Sequence, residues 1–274
     1  MGVLWQLEEE LSSIEMLKKQ LKISITGSGK VARSFGLALK VAGHRVGQII
    51  ARNSDTGRSL ANELGAELTS FESTSNVDLI AVLVSDDAIE EVSAQLPINI
   101  PQFHASGVSD LDVLSSEIKG VVWPIKSINS KSSGSSFKGV PVGVEGNNEE
   151  FQSTLLSIAR SIGGDGFVAS SENRSIIHLA AVFTDNFANH CLSLSQDILK
   201  NSDLDPKLMR SLAQGLLDGA LNGDSASRQT GVAIRGDVGS QMKHLGLISD
   251  EEKKEFYKFL SKQIKEYHEL QGKA

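Results

Sequence analysis

The residues best suited to chemistry open a short helix. Gly27-Ser28-Gly29-Lys30-Val31-Ala32 follows the apolar alternation of Lys22–Thr26 and reads G-x-G-x-x-A. In such a sequence the first glycine permits a tight turn, the second lets backbone approach a diphosphate, and the alanine lets the helix pack on its strand. The N–H groups and partial positive charge of the helix N-terminus then face the phosphates. The end of the next strand should choose the nucleotide. Proteins that hold NAD place an acid there for the ribose hydroxyls; this chain has Ala51-Arg52-Asn53-Ser54. An acid would repel a 2′-phosphate, whereas Arg52 can clamp it by charge and paired N–H donors, with Asn53 and Ser54 donating further. NADP is therefore favoured over NAD. The plainer alternative is an exposed Arg52 beside a helix cap at Ser54.

Two later strand ends belong over the same ligand, because parallel sheets bind at the carboxyl ends of their strands. These are Val84-Ser85-Asp86 and His104-Ala105-Ser106-Gly107. Asp86 as a helix cap and His104 as a satisfied strand-end histidine are the ordinary alternatives. Hydride chemistry belongs to a nicotinamide; the protein must place the substrate and manage a proton. The helical stretch Glu172–Lys200 carries groups for that. At about 100° per residue, His178, Asp185, Asn186, Asn189, His190, Ser193 and Asp197 share one arc of about 140°. Asn186 is the candidate to orient substrate, and His190 or His178 to exchange the proton. An interface or solvated face is the alternative. His178 and His190, twelve residues apart on one helix, make no metal pair. A glycine-punctuated run, Gln229–Asp237, followed by His244, could close over the site, or be a loop with Asp237 capping a helix.

The elements that must position these residues alternate. Strands are expected over Lys22–Gly27, Arg45–Arg52, Asp78–Val84, Gln102–Ser106, Val140–Val144 and Gly166–Ala169. Helices are expected over Lys30–Ala42, Thr56–Leu64, Asp87–Leu96 and Glu149–Ile162, and a Ser/Lys-rich loop over Asn129–Ser136. This is the α/β pattern of a doubly wound parallel sheet. After Ser170 only helices are expected: Glu172–Lys200, Pro206–Leu221 and Glu251–Leu270. The domain reading is a 1–21 extension, a 22–169 dinucleotide-binding domain and a 170–274 helical domain. Leu4, Leu7, Leu11, Ile14, Leu17 and Leu21 form an amphipathic stripe, as a dimerisation arm or a helix packed on its own domain. Met16 is a candidate natural start.

Composition narrows the class. The 274 residues are 40% hydrophobic and 22% charged, with 27 basic against 34 acidic side chains and a net charge of −7. That balance opposes a nucleic-acid footprint and an anionic membrane surface. Cys191 is the single cysteine, so no intrachain disulfide exists. The acidic opening MGVLWQLEEEL is unlike a secretory leader. No apolar run approaches the roughly 20 residues of a membrane span. A cytoplasmic protein with a small-molecule substrate is expected.

Taken together, ITGSGKVA, IIARN, VSDDAIEEV, HASG, VVWPIKSI, the run from His178 to His190, and QTGVAIRGD with the later His244-Leu245 resemble one family. Its members join a Rossmann-type domain to a helical domain of unknown function and are provisionally described as NADP oxidoreductases. More remotely the layout is similar to pyrroline-5-carboxylate reductase, deazaflavin-dependent NADP oxidoreductase and 6-phosphogluconate-dehydrogenase-like proteins. The resemblance implies an all-α, 6-phosphogluconate-dehydrogenase-like C-terminal domain and a homodimer formed through it. It also implies hydride transfer between NADP and a small carbonyl or imine; a non-catalytic dinucleotide sensor on the same fold is the alternative. The chain departs from the family where Val232 replaces a usual proline. It lacks the interdomain-helix lysine of β-hydroxyacid dehydrogenases and the signature of pyrroline-5-carboxylate reductase, so neither reaction is carried over.

Overall fold

The computed structural model describes residues 20–52, 55–74, 76–128, 137–221 and 225–271. The leucine stripe up to residue 19, Met16, Asn53, Ser54 and the 129–136 loop lie outside these described residues. The chain divides into two compact units between His190 and Cys191.

The first unit is built on an eight-stranded sheet in the order β3-β2-β1-β4-β5-β6-β7-β8. Its strands are β1 Lys22–Thr26, β2 Arg45–Ile50, β3 Glu67–Thr69, β4 Leu79–Val82, β5 Gln102–His104, β6 Lys119–Pro124, β7 Pro141–Gly146 and β8 Asp165–Val168. The helices among them are α1 Lys30–Val41, α2 Asp55–Leu64, the short α3 Ile89–Ser93 and α4 Glu149–Ser161. Strand β4 explains why the sheet is covered on both sides. All four of its side chains are buried. Leu79 and Ala81 join one apolar cluster with Ile23, Ile25, Phe35 and Leu39. Ile80 and Val82 join another with Ile50, Ile89, Val92 and Leu114. Alternation by two splits one apolar run between two faces. Helix α1 buries Ala32, Phe35, Ala38 and Leu39, a stripe at helical spacing. It stops at Gly43, whose φ of +88° is the left-handed conformation of a helix C-terminus.

The doubly wound α/β architecture is as the sequence implies, with three corrections. The pairing of β6 with β7 is antiparallel, within a sheet otherwise parallel. No helix is described between those two strands, and a parallel pair needs a long crossover, usually helical. Strand β6 is also absent from the sequence reading. Its apolar core Val121-Val122-Trp123 ends in Pro124, which cannot donate to a ladder. Strand β3, at three residues, is too short to produce a periodic signal.

The long helix is the fourth correction. Ser170 caps α5 Ser171–Ala181 through its side chain. Val182–Phe187 then winds as a π-helix, and α6 Ala188–Lys200 resumes regular geometry. A wider turn changes the phase of everything after it. The single polar arc expected at a uniform 100° per residue is therefore interrupted after His178.

The second unit holds the rest of α6, then α7 Arg210–Leu221, α8 Val238–Leu247 and α9 Glu251–Gln271. Its helix starts are capped by acids: Asp205 accepts from the Lys207 N–H at 2.9 Å and Asp237 from the Ser240 N–H at 3.0 Å. Asp237 thus fills the capping role that was its plainer reading. Among the described residues of this unit, Ala233 is the only buried hydrophobic side chain. Leu212, Leu216, Val238, Met242 and Leu247 are all exposed. No described helix is long and apolar enough to cross a membrane.

Candidate functional site

Strands β1, β4 and β5 end together. Thr26 pairs with Val82, and Val82 with His104, so Gly27, Leu83 and Ala105 leave the sheet side by side. The strand order reverses at β1, with β2 on one side and β4 on the other. A crevice at such a reversal is where doubly wound sheets bind ligands.

Gly27 has φ +115°, and a Cβ there would lie 2.2 Å from the Leu83 carbonyl oxygen. Glycine is required on both counts. Gly29 differs: a Cβ would meet nothing within 4 Å, so space stands open before the helix. Gly29 is the N-cap of α1 and supplies no side-chain hydrogen bond to the first turn. An uncapped helix start facing open space suits an anion. Ala32 is fully buried, which keeps α1 close to the sheet. Ser28 hydrogen bonds Thr56 at 2.9 Å, tying the loop to α2. Lys30 is exposed and Val31 half-buried at the same helix start.

Arg52 is well exposed beyond β2, and its Nη2 donates to Glu91 Oε1 at 2.9 Å. At the end of β4, Val84 is half-buried while Ser85 and Asp86 are exposed. Ser85 occupies the cap position of a single 3-10 turn that Asp86 opens.

Past β5 the backbone is held by its own side chains. Burial pushes the His104 imidazole down to about 4, against which its bond to the Asp110 backbone acts only partly. The Ser106 N–H donates to His104 Nδ1 at 3.1 Å, so the proton sits on Nε2, which faces the Asp110 carbonyl at 3.2 Å. Ser106 Oγ accepts from the N–H groups of Val108 and Ser109 at 3.2 and 3.0 Å. Both side chains thus shape the loop. Ala105 is half-buried and Gly107 buried within it. A Cβ on Gly107 would come within 2.6 Å of the Trp123 indole and 2.9 Å of the His178 ring.

Trp123 and His178 pack with their rings tilted by 42° and centroids 6.0 Å apart, and open onto a cavity of about 550 Å³. Its wall combines the exit of β6 (Pro124, Ile125, Lys126, Ser127) with the helix face that carries Ile177, His178, Ala181, Asp185 and Asn186. Ser127 donates to the Asp185 carboxylate, joining the two walls. The structure thus brings His178 and Asn186 to one cavity. It leaves His190, on α6, outside that lining. His244 stands in the second unit, hydrogen bonded to the Tyr257 hydroxyl at 2.9 Å.

Sequence reasoning quoted Trp123 and Ser127 within VVWPIKSI without giving them a role, and missed the buried Arg174. Trp123 precedes the proline that ends a strand periodicity did not reveal, and Ser127 lies three residues past that strand end. Arg174, in the first turns of an apparently amphipathic helix, reads as an ordinary surface arginine.

Comparison with known proteins agrees with this architecture. Residues 140–264 match a domain of unknown function, DUF2520. A Bacteroides fragilis protein provisionally described as an NADP oxidoreductase is 27% identical, with a TM-score of 0.81 over 90% of this chain and 98% of that one. A Thermotoga maritima protein is 25% identical, with a TM-score of 0.67 over 91% and 99%. A 1-pyrroline-5-carboxylate reductase from Streptococcus pyogenes is 18% identical, with a TM-score of 0.60 over 90% and 99%, a likeness of fold. No curated protein matches the chain.

Proposed function

We propose that this chain is an NADP-dependent oxidoreductase acting on a small carbonyl or imine. The observation that carries the reading is the uncapped start of α1 behind Gly27 and Gly29, where open space meets backbone N–H groups. The likeness to the Bacteroides fragilis protein supports it. Gly27, Ser28, Gly29, Lys30, Val31 and Ala32 would hold the diphosphate, and Arg52, Asn53 and Ser54 the 2′-phosphate. The segments Val84–Asp86 and Ala105–Gly107 would lie along the nucleotide. NADP, when bound, supplies or accepts a hydride at the nicotinamide.

The residues of the cavity do the remaining work. The heteroatom of a carbonyl or imine must gain a proton as its carbon gains hydride. His178, half-buried against Trp123, carries ring nitrogens that can give or take that proton. Asn186, on the same wall, orients the substrate by hydrogen bonding. His190 is the second candidate for the proton. A homodimer formed through the helical unit is part of the reading, supported by that unit's exposed leucines. So is a cytoplasmic location.

Titration with NADPH and NADH tests the cofactor. NADPH should bind more tightly, and Arg52→Ala should narrow the gap by about tenfold or more, since hydrogen bonds to charged groups contribute about 1.5–3 kcal/mol. Equal affinities in the unaltered chain would remove NADP from the reading. Nucleotide binding with no turnover across carbonyls and imines would leave the sensor in place of the enzyme.

A further inference from the structure

Arg174 is the largest fully buried side chain in the described fold, yet none of the roles above uses it. Its guanidinium reaches three separate pieces of chain. Nη2 donates to the Ser109 carbonyl at 2.8 Å, in the loop after β5. Nη2 also meets Ser171 Oγ at 3.2 Å, and Nη1 the Ala169 carbonyl at 3.3 Å, both at the foot of α5. Nη1 donates as well to the Glu145 carboxylate of β7, which Ser171 Oγ engages at 3.0 Å. Nε has no hydrogen-bond partner among the described residues.

Stability alone is a poor reason to bury such a charge, because packed apolar side chains of similar volume do as well or better. A rigid planar fork offers something apolar groups lack: it fixes several acceptors at set angles. The acceptors here bracket one contact. Ser109 is two residues beyond Gly107, and Arg174 is one helical turn before His178. Between those two ends the His178 ring, the Trp123 indole and Gly107 meet so closely that a methyl group would not fit.

We propose that Arg174 is a positioning residue that sets the separation between the Ala105–Gly107 loop and His178. This rests on the reading that NADP lies along the strand ends, with its nicotinamide half at that loop. Arg174 then governs the nicotinamide half of the site and leaves the adenosine half, at Gly27–Ala32 and Arg52, untouched.

The test uses the full chain and two probes: NADPH, which spans both halves, and 2′,5′-ADP, which fills only the adenosine half. Arg174→Lys keeps the charge and loses the fork. It should raise the NADPH dissociation constant about tenfold and leave 2′,5′-ADP within about twofold, as small displacements at a reacting centre are costly. Gly107→Ala should give the same split by forcing the rings apart. The double variant should be little worse than the poorer single one, since both disturb one contact. If Arg174→Lys does not fold, Glu145→Gln, which weakens the anchor of the guanidinium and leaves Arg174 in place, should give the same split, and no split there would overturn the proposal. Equal weakening of both probes, or no change in either, would assign Arg174 a purely structural role. Failure of the unaltered chain to bind either probe would instead remove the cofactor reading itself.

Discussion

The two units solve the problem of burial in opposite ways. The sheet unit hides Phe35 against Phe103 and Phe137, with ring centroids 6.3 and 5.0 Å apart, and closes two apolar clusters over both faces of β4. The helical unit has caps and amphipathic faces but, among its described residues, only Ala233 as a buried apolar side chain. A sheet hydrogen bonded along its length presents broad faces that two helical layers can cover. The four helices of the second unit instead leave leucines such as Leu212 and Leu216 exposed. The first unit closes its apolar core within itself, whereas the second leaves most of its described large apolar side chains exposed.

The largest effect that would sharpen this contrast comes from the core. Phe35→Ala should cost about 4 kcal/mol, by lost transfer energy plus a cavity that the rigid sheet cannot fill, read as a fall in denaturant midpoint. A loss under about 1 kcal/mol would mean the core is looser than its contacts imply.

Next comes His104. Its imidazole titrates near 4 in the folded chain, against an ordinary value near 6.5, because burial disfavours the charged form. The unfolded chain therefore binds more protons between those values. Stability is fully present above pH 6.5 and is lost as pH falls towards 4, by about 3 kcal/mol in the limit. His104→Gln should flatten the stability profile between pH 7 and 5 relative to the unaltered chain. Parallel slopes for the two proteins would contradict the assignment.

In the helical unit the prediction concerns assembly. Leu216→Glu places a charge on an exposed apolar face and should weaken self-association by about 2 kcal/mol if that face is covered by a second copy, visible by light scattering on dilution. An unaltered monomeric chain would break the comparison at its weakest point. The smallest effect is local: Asp237→Ala removes the cap of α8 and should cost about 1 kcal/mol, with the sheet unit's hydrogen exchange unchanged.

Legibility in the sequence followed the range of the forces involved. Strands β1, β2, β4 and β5 announce themselves because apolar runs end in a glycine or a polar break, and those signals are local. The Gly27–Ala32 loop is equally plain, since a positive φ and a close carbonyl leave glycine no substitute at Gly27. Strand β6 is hidden by Pro124, and its antiparallel partner lies across a connection with no pattern. The cavity was half visible: His178 and Asn186 were singled out, but their wall at Trp123 and Ser127 depends on that unseen strand. Arg174 was invisible because helical spacing cannot distinguish an arginine that faces solvent from one drawn under a neighbouring loop.

The π-wound stretch at Val182–Phe187 has a bearing on how this chain tolerates change in length. A regular helix turns about 100° with each residue, so losing one residue anywhere along it swings all later side chains to a new bearing. A wide turn is a single surplus residue already absorbed. Trimming it should leave an unbroken regular helix whose downstream half keeps its bearing, which makes those six positions a natural place for related chains to differ in count without unravelling.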